Sequence, residues 1–200
     1  HNLSSTTVST EINDAGGYGL FVNGTDVYVS GFEGNNGFHS FCYWKNGTKT
    51  QYGTAPYESG EALRIFFDSG NLYVSGQQYY SSGMPTKARY YKNGSAVSLT
   101  DGTKYAGCSG LAINGGTVYA IGIELDPSDK IVFWTGALRE EITSGSYTSM
   151  SGGIVAYNGW VYFCGSTYEL GYSLAKYWIN GKAQVFNLGG GYAQDICIRQ

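Results

Sequence analysis

This chain has little charge, almost no proline and almost no histidine. Charged residues make up 14% of its 200 residues, and the formal net charge is −3. Nucleic-acid binding needs clustered Lys and Arg, so this balance argues against a nucleic-acid partner. So small a charged fraction beside 42% hydrophobic residues also excludes a disordered, charge-solvated chain. No apolar run is long enough to span a bilayer, so no transmembrane segment is expected. Only three prolines occur, and no stretch keeps a helical period, which excludes a helical repeat. His39 is the one histidine besides His1. It has no evident Ser or Cys partner, so a nucleophilic triad is unsupported. The four cysteines, Cys42, Cys108, Cys164 and Cys197, form no Cys-x-x-Cys pair, so zinc and dithiol chemistry are not expected. They read as small buried hydrophobes rather than disulfides. The chain starts at His1 and carries no signal peptide as given, as a mature secreted form or an excerpt of a longer polypeptide would.

Glycine and tyrosine are abundant, with 31 Gly and 19 Tyr. Glycine supplies positive φ in tight turns, and aromatic residues favour half-buried pleated surfaces, so many short strands are expected. Two sequence anchors then repeat four times in register. The first is Val27-Tyr28-Val29-Ser30-Gly31, Leu72-Tyr73-Val74-Ser75-Gly76, Val118-Tyr119-Ala120-Ile121-Gly122 and Val161-Tyr162-Phe163-Cys164-Gly165. The second is Tyr43-Trp44-Lys45-Asn46-Gly47, Tyr90-Tyr91-Lys92-Asn93-Gly94, Phe133-Trp134-Thr135-Gly136 and Tyr177-Trp178-Ile179-Asn180-Gly181.

Each unit resolves into four strands. Strand A precedes the first anchor (Leu20–Val22, Leu63–Phe67, Leu111–Ile113, Ile154–Tyr157), and strand B is that anchor. Strand C ends at the aromatic pair, and strand D follows it. Asn23-Gly24, Ser69-Gly70, Asn114-Gly115 and Asn158-Gly159 read as A–B turns. Asn46-Gly47, Asn93-Gly94, Thr135-Gly136 and Asn180-Gly181 read as C–D turns. Asn-Gly is the strongest short hairpin signal, because type I′ turns need positive φ at both central residues. Four antiparallel strands repeating at roughly 45 residues is the signature of a β-propeller blade. The expected fold is therefore an all-β propeller of four complete blades, at about 17–52, 61–100, 109–143 and 152–188. Partial terminal strands at 5–12 and 193–199 resemble a strand D and a strand A. They raise three readings: an excerpt of a longer array, a ring of four or five positions with a reduced closing blade, or self-association through the terminal strands. The aromatic pairs, with Trp44, Tyr91, Trp134 and Trp178 at one position, are expected to pack blade against blade.

These residues carry a resemblance. Val-Tyr-Val-x-Gly, a gap, Tyr-Trp-Lys-Asn-Gly and then a strand such as Ala96-Val97-Ser98-Leu99-Thr100 resemble repeats of bacterial secreted and surface-anchored β-propeller proteins of unestablished function. The likeness covers nearly the whole chain and implies an extracellular or cell-surface protein. The Gly-His and Trp-Asp marks of WD-repeat propellers and the Asp-box of sialidases are missing. In hemopexin-like domains Tyr-Trp follows the Gly strand much more closely. Phe133-Trp134-Thr135-Gly136 resembles the repeat of lipoprotein receptors once, without its Asp.

Propeller function usually sits on the face bearing the B–C and D–A loops, around the channel. Two residues past each first-anchor glycine stand Glu33, Gln78, Glu124 and Thr167, a polar row for a cation or a hydroxyl-rich ligand, or for bracing the loops. Glu124, Asp126 and Asp129 form an acidic loop that a Ca²⁺ ion or plain solvation would suit, without EF-hand spacing. No cofactor is implied. Three functions remain. The first is a non-enzymatic binding or scaffold propeller with a protein or glycan partner at the loop face. The second is a carbohydrate-binding propeller using Tyr-rich loops such as Gln77–Tyr80 and Tyr168–Tyr172. The third is a glycoside hydrolase with Glu33 and Glu124 as its carboxylate pair. Asn2, Asn23, Asn46 and Asn93 sit in N-glycosylation patterns, three of which coincide with hairpin turns.

Overall fold

The computed structural model describes residue 7 and residues 14–35, 38–53, 58–80, 86–125, 128–143, 148–169, 171–185 and 191–198. They form four antiparallel four-stranded sheets, with no helix among the described residues. The first sheet holds β1 (Asp14–Asn23), β2 (Asp26–Asn35), β3 (Phe38–Lys45) and β4 (Thr48–Gln51). The second holds β5 (Glu58–Asp68), β6 (Asn71–Tyr80), β7 (Lys87–Lys92) and β8 (Ser95–Ser98). The third holds β9 (Tyr105–Asn114), β10 (Thr117–Leu125), β11 (Asp129–Thr135) and β12 (Leu138–Glu141). The fourth holds β13 (Thr148–Tyr157), β14 (Trp160–Glu169), β15 (Tyr172–Ile179) and β16 (Lys182–Val185). Strand order within each sheet follows chain order.

The anchor glycine has a steric cause. β1, β5 and β9 each carry a register shift opposite it. A Cβ on Gly31, Gly76 or Gly122 would meet the carbonyl oxygen of Gly16, Glu61 or Gly107 at 1.9, 1.9 and 1.8 Å. Only a residue without a side chain fits against that bulged strand.

The turns follow the expected chemistry with a shift of frame at three places. Asn46, Asn93, Asn158 and Asn180 have φ of 50, 49, 49 and 47°, each followed by a glycine of positive φ. Ser69-Gly70 behaves likewise. The first A–B turn is Gly24-Thr25 rather than Asn23-Gly24, and the third is Gly115-Gly116 rather than Asn114-Gly115. The third C–D turn is Gly136-Ala137 rather than Thr135-Gly136. In all three cases the preceding Asn or Thr stays in its strand, and glycine takes the first positive φ. The Asn side chains do more than turn the chain. Oδ1 of Asn46, Asn93 and Asn180 accepts the backbone N–H of Val27, Leu72 and Val161 at 2.8, 2.9 and 2.8 Å. These three C–D turns thereby close off the start of strand B in their own sheets, so Asn46 and Asn93 have a structural reason to be Asn.

The sheets pack in chain order, the far face of one on the near face of the next, in a propeller-like arrangement. Phe21, Tyr28 and Phe41 of the first sheet meet Ile65, Val74 and Tyr91 of the second. Tyr73 and Tyr90 of the second meet Leu111, Ala120 and Trp134 of the third. Ile121 and Phe133 of the third meet Val161, Phe163 and Trp178 of the fourth. Trp134 and Trp178 are buried between sheets as expected. Trp44 is also buried, yet it shares the near face of the first sheet with Leu20, which is 68% exposed. That face and the far face of the fourth sheet lie outside the three inter-sheet cores.

The ends depart from expectation. Residues 5–12 lie outside the described residues except Thr7, which is in no strand. Ile196–Ile198, expected as a strand A, is irregular. Alternating Ile196 and Ile198 supply the pattern of a strand, but a strand also needs a hydrogen-bonded neighbour, and none stands beside it among the described residues. The segment still lies against the first two strands of the fourth sheet, β13 and β14. The Ala193 N–H donates to Ser166 Oγ at 3.0 Å, and a Cβ on Gly152 would meet the Ala193 carbonyl at 2.7 Å. Cys42, Cys108 and Cys164 are free and buried, whereas Cys197 is free and exposed, against the expectation of burial. Burial pushes the Cys42 and Cys108 thiols up to about 12.

Candidate functional site

The ends of the strands away from the hairpin turns share one face of the assembly, hereafter the loop face. Successive sheets are tied together there by hydroxyl groups. The backbone N–H of His39 donates to Ser59 Oγ at 2.7 Å. Thr86 Oγ1 donates to the Ala106 carbonyl at 2.7 Å and accepts the Ala106 N–H at 2.8 Å.

Where the first two sheets meet, His39 sits between two carboxylates. Its Nδ1 lies 3.0 Å from Glu61 Oε1 and its Nε2 lies 3.1 Å from Asp14 Oδ2. The ring stacks on Phe32 with centroids 4.0 Å apart. A neutral imidazole donates to one of these carboxylates, and a doubly protonated ring donates to both. Glu61 also faces the Tyr18 hydroxyl and Gln77 Nε2, both at 3.5 Å. Partial burial, followed by the nearby Glu61 carboxylate, holds the Tyr18 phenol above its ordinary value. No local sequence pattern reveals this pairing with Glu61, because Glu61 comes from β5 of the next sheet. The two carboxylates occupy opposite sides of the ring, so they cannot share one metal ion with it. Among the described residues, no group of three or more His, Cys, Asp or Glu side chains could hold a metal.

Large aromatic side chains gather on the same face. Phe38, Tyr105, Tyr168 and Tyr172 stand at strand ends there and are 48, 45, 44 and 67% exposed. Tyr18, 49% exposed, stands beside the His39 cluster. Of three other exposed rings, Tyr157 and Trp160 flank the opposite hairpin end and Tyr192 stands on the segment beyond the fourth sheet. The Tyr168–Tyr172 region therefore presents two rings to solvent, while the side chains of Tyr79 and Tyr80 lie outside the described set.

The expected polar row is buried. Glu33, Gln78, Glu124 and Thr167 are all buried on the second strand of their sheets and do not line the central cavity. Glu33 pairs with Lys49. Glu124 takes the Arg139 guanidinium on both oxygens, with contacts of 3.1, 3.1 and 2.6 Å. Lys49 and Arg139 occupy one position, opposite Trp44 and Trp134. In the second and fourth units that position is Ala96 and Ala183, and the acids are replaced by Gln78 and Thr167. Acid and cation come and go together, as partners across one sheet do. Thr167 donates to Glu169 at 3.0 Å, and Glu169 pairs with Lys176, whose hydrogen bond holds the Glu169 carboxyl below its usual range. Of the acidic loop, Asp126 lies outside the described residues, Asp129 is half-buried, and Glu124 is committed to Arg139.

The innermost strands β5, β9 and β13 enclose a cavity of about 350 Å³ in the half of the assembly nearer the hairpin turns. Arg64 and Asp195 contribute charge to its lining, and their side chains lie 3.6 Å apart.

No protein-family model matches the chain, and no curated protein does. Solved structures do resemble it. One is a Pyrococcus horikoshii acylaminoacyl peptidase, at 17% identity and TM-score 0.49, covering 94% of this chain and 34% of that one. A second is a Podospora anserina alpha-L-arabinofuranosidase, at 8% identity and TM-score 0.46, covering 89% of this chain and 65% of that one. A third is a Bombyx mori GH32 beta-fructofuranosidase, at 13% identity and TM-score 0.41, covering 85% and 50%. The chain thus spans between a third and two thirds of these proteins, and likenesses at this level carry no argument about its function.

Proposed function

We propose that this chain is a binding propeller whose loop face takes a carbohydrate, without catalysing a reaction on it. The observation that carries this reading is the set of half-exposed rings, Tyr18, Phe38, Tyr105, Tyr168 and Tyr172, on one face beside Asp14, Glu61 and Gln77. Aromatic faces pack against the apolar C–H faces of sugar rings, and tyrosine adds a polar rim. Carboxylates and amides nearby accept and donate hydrogen bonds to hydroxyls, which fixes orientation. A hydrolase built on Glu33 and Glu124 finds no support, because both carboxylates are buried against cations in different sheets. A glycosidase needs its two carboxyl groups facing one bond.

The test is affinity electrophoresis in gels holding soluble polysaccharides, comparing the wild type with Tyr172→Ala and Tyr168→Ala. Retardation by at least one polysaccharide, reduced about tenfold or more in apparent affinity by either variant, is the expected result. Wild-type mobility unchanged across neutral and acidic polysaccharides would reject the reading.

A further inference from the structure

Position by position, the innermost strands differ at one telling place. The residue just before Leu20, Ile65, Leu111 and Ile154 is Gly19, Arg64, Gly110 and Gly153. A Cβ at any of the three glycines would crowd a neighbouring side chain. A Cβ on Gly19 would meet Ser30 Oγ at 2.5 Å, one on Gly110 would meet Ile154 Cγ2 at 2.8 Å, and one on Gly153 would meet Asp195 Oδ1 at 1.9 Å. On β9 and β13 the cavity wall at this level is glycine, whereas β5 sends an arginine into it. Departures from a local rule concentrate at functional or strained positions.

Arg64 reaches from the second sheet across the cavity to Asp195, on the segment beyond the fourth sheet, passing the level of Gly110 and Gly153. The contact is 3.6 Å, well beyond the 2.7–2.9 Å of a charge-assisted hydrogen bond. Asp195 is 68% exposed and belongs to an irregular segment, so this pair is held loosely. Apart from Arg64, Asp68 and Asp195, the side chains in the cavity wall are apolar, Leu111, Ile113 and Ile154 among them. Its other acid, Asp68, is four residues along the same strand, about 13 Å from Arg64 at the usual rise.

We propose that Arg64 anchors a carboxylate-binding site in this channel, with Asp195 as an internal carboxylate that the ligand displaces. The fitting ligand is a small organic acid, its carboxylate on the guanidinium and its apolar body against the aliphatic wall. Guanidinium favours carboxylate because two parallel N–H groups match two oxygens. This site is separate from the loop face and does not depend on carbohydrate binding there.

Benzoate is a suitable probe, with benzamide as its uncharged counterpart, read by calorimetry and by shifts of backbone amide resonances along β5, β9 and β13. Asp195→Asn removes the internal competitor and should bind benzoate about tenfold or more tightly than the wild type. Benzamide should not bind either protein. Adding Arg64→Gln to the Asp195→Asn variant should abolish benzoate binding. If that double variant fails to fold, Arg64→Lys replaces it and should weaken binding while keeping the charge. Absence of benzoate binding in Asp195→Asn, or binding unaffected by both Arg64 substitutions, overturns the proposal. So does a fall in melting temperature in Asp195→Asn without any gain in benzoate affinity, which would make the pair a structural clamp.

Discussion

Leu20 and Leu111 are the same residue at the same position of two units, each paired across its strand with the first anchor. Leu111 is 6% exposed, under Tyr73 and Tyr90 of the preceding sheet, whereas Leu20 is 68% exposed. Substituting each with Ala removes the same atoms and changes strand propensity equally, so the difference isolates what a covering sheet contributes. For Leu111→Ala the lost transfer free energy and the cavity left behind should together cost about 2–5 kcal/mol. For Leu20→Ala a surface position should cost no more than about 0.5 kcal/mol. Urea unfolding followed by tryptophan fluorescence reads both, provided m is unchanged. Equal shifts in midpoint would mean instead that the near face of the first sheet is covered in solution.

Trp134→Ala should cost about 3–5 kcal/mol by the same denaturation assay, because the ring is 1% exposed between two sheets. Glu124→Gln and Arg139→Ala should each destabilise by about 1–3 kcal/mol, from a buried carboxylate or its partner left unmatched. Their combination reproduces the Gln78 and Ala96 arrangement of the second unit and should recover much of the loss, which a double-mutant cycle measures. Cys197 should react with a thiol reagent in the native protein, while Cys42, Cys108 and Cys164 should react only after unfolding. Burial raises the Cys42 and Cys108 thiols from 9.0 to about 12, so the folded state favours the protonated form more strongly than the unfolded state does. That stability is fully present below pH 9 and is lost as pH rises toward 12. Cys42→Ala/Cys108→Ala should lose less stability than the wild type across this window.

The sheets were legible because two local signals, an apolar strand ending in glycine and an aromatic pair before a turn, repeat in register. The bulge opposite Gly31, Gly76 and Gly122 was not legible, since it is a property of strand pairing. The innermost strands also start earlier than their apolar runs, at Asp14, Glu58, Tyr105 and Thr148. Glu33 and Glu124 were visible as a repeated polar position. The partners that bury them, Lys49 and Arg139, lie on exposed outer strands where a cation attracts no notice. Only the joint change to Gln78 with Ala96, and to Thr167 with Ala183, reveals the pairing in sequence. The cluster around His39 depends on one sheet docking against the next, which no local pattern encodes. Arg64 was readable as the one residue out of step with Gly19, Gly110 and Gly153, once the units are aligned backward from their turns.

A glycan array probed with the wild-type chain and with a Tyr18→Ala/Tyr168→Ala/Tyr172→Ala variant tests the central claim most directly. The wild type should bind a restricted set of glycans. The triple variant should lose that binding while its melting temperature changes little, because all three rings are substantially exposed. A wild-type chain that binds nothing on the array, or a variant that keeps the same glycans at the same strength, would contradict it.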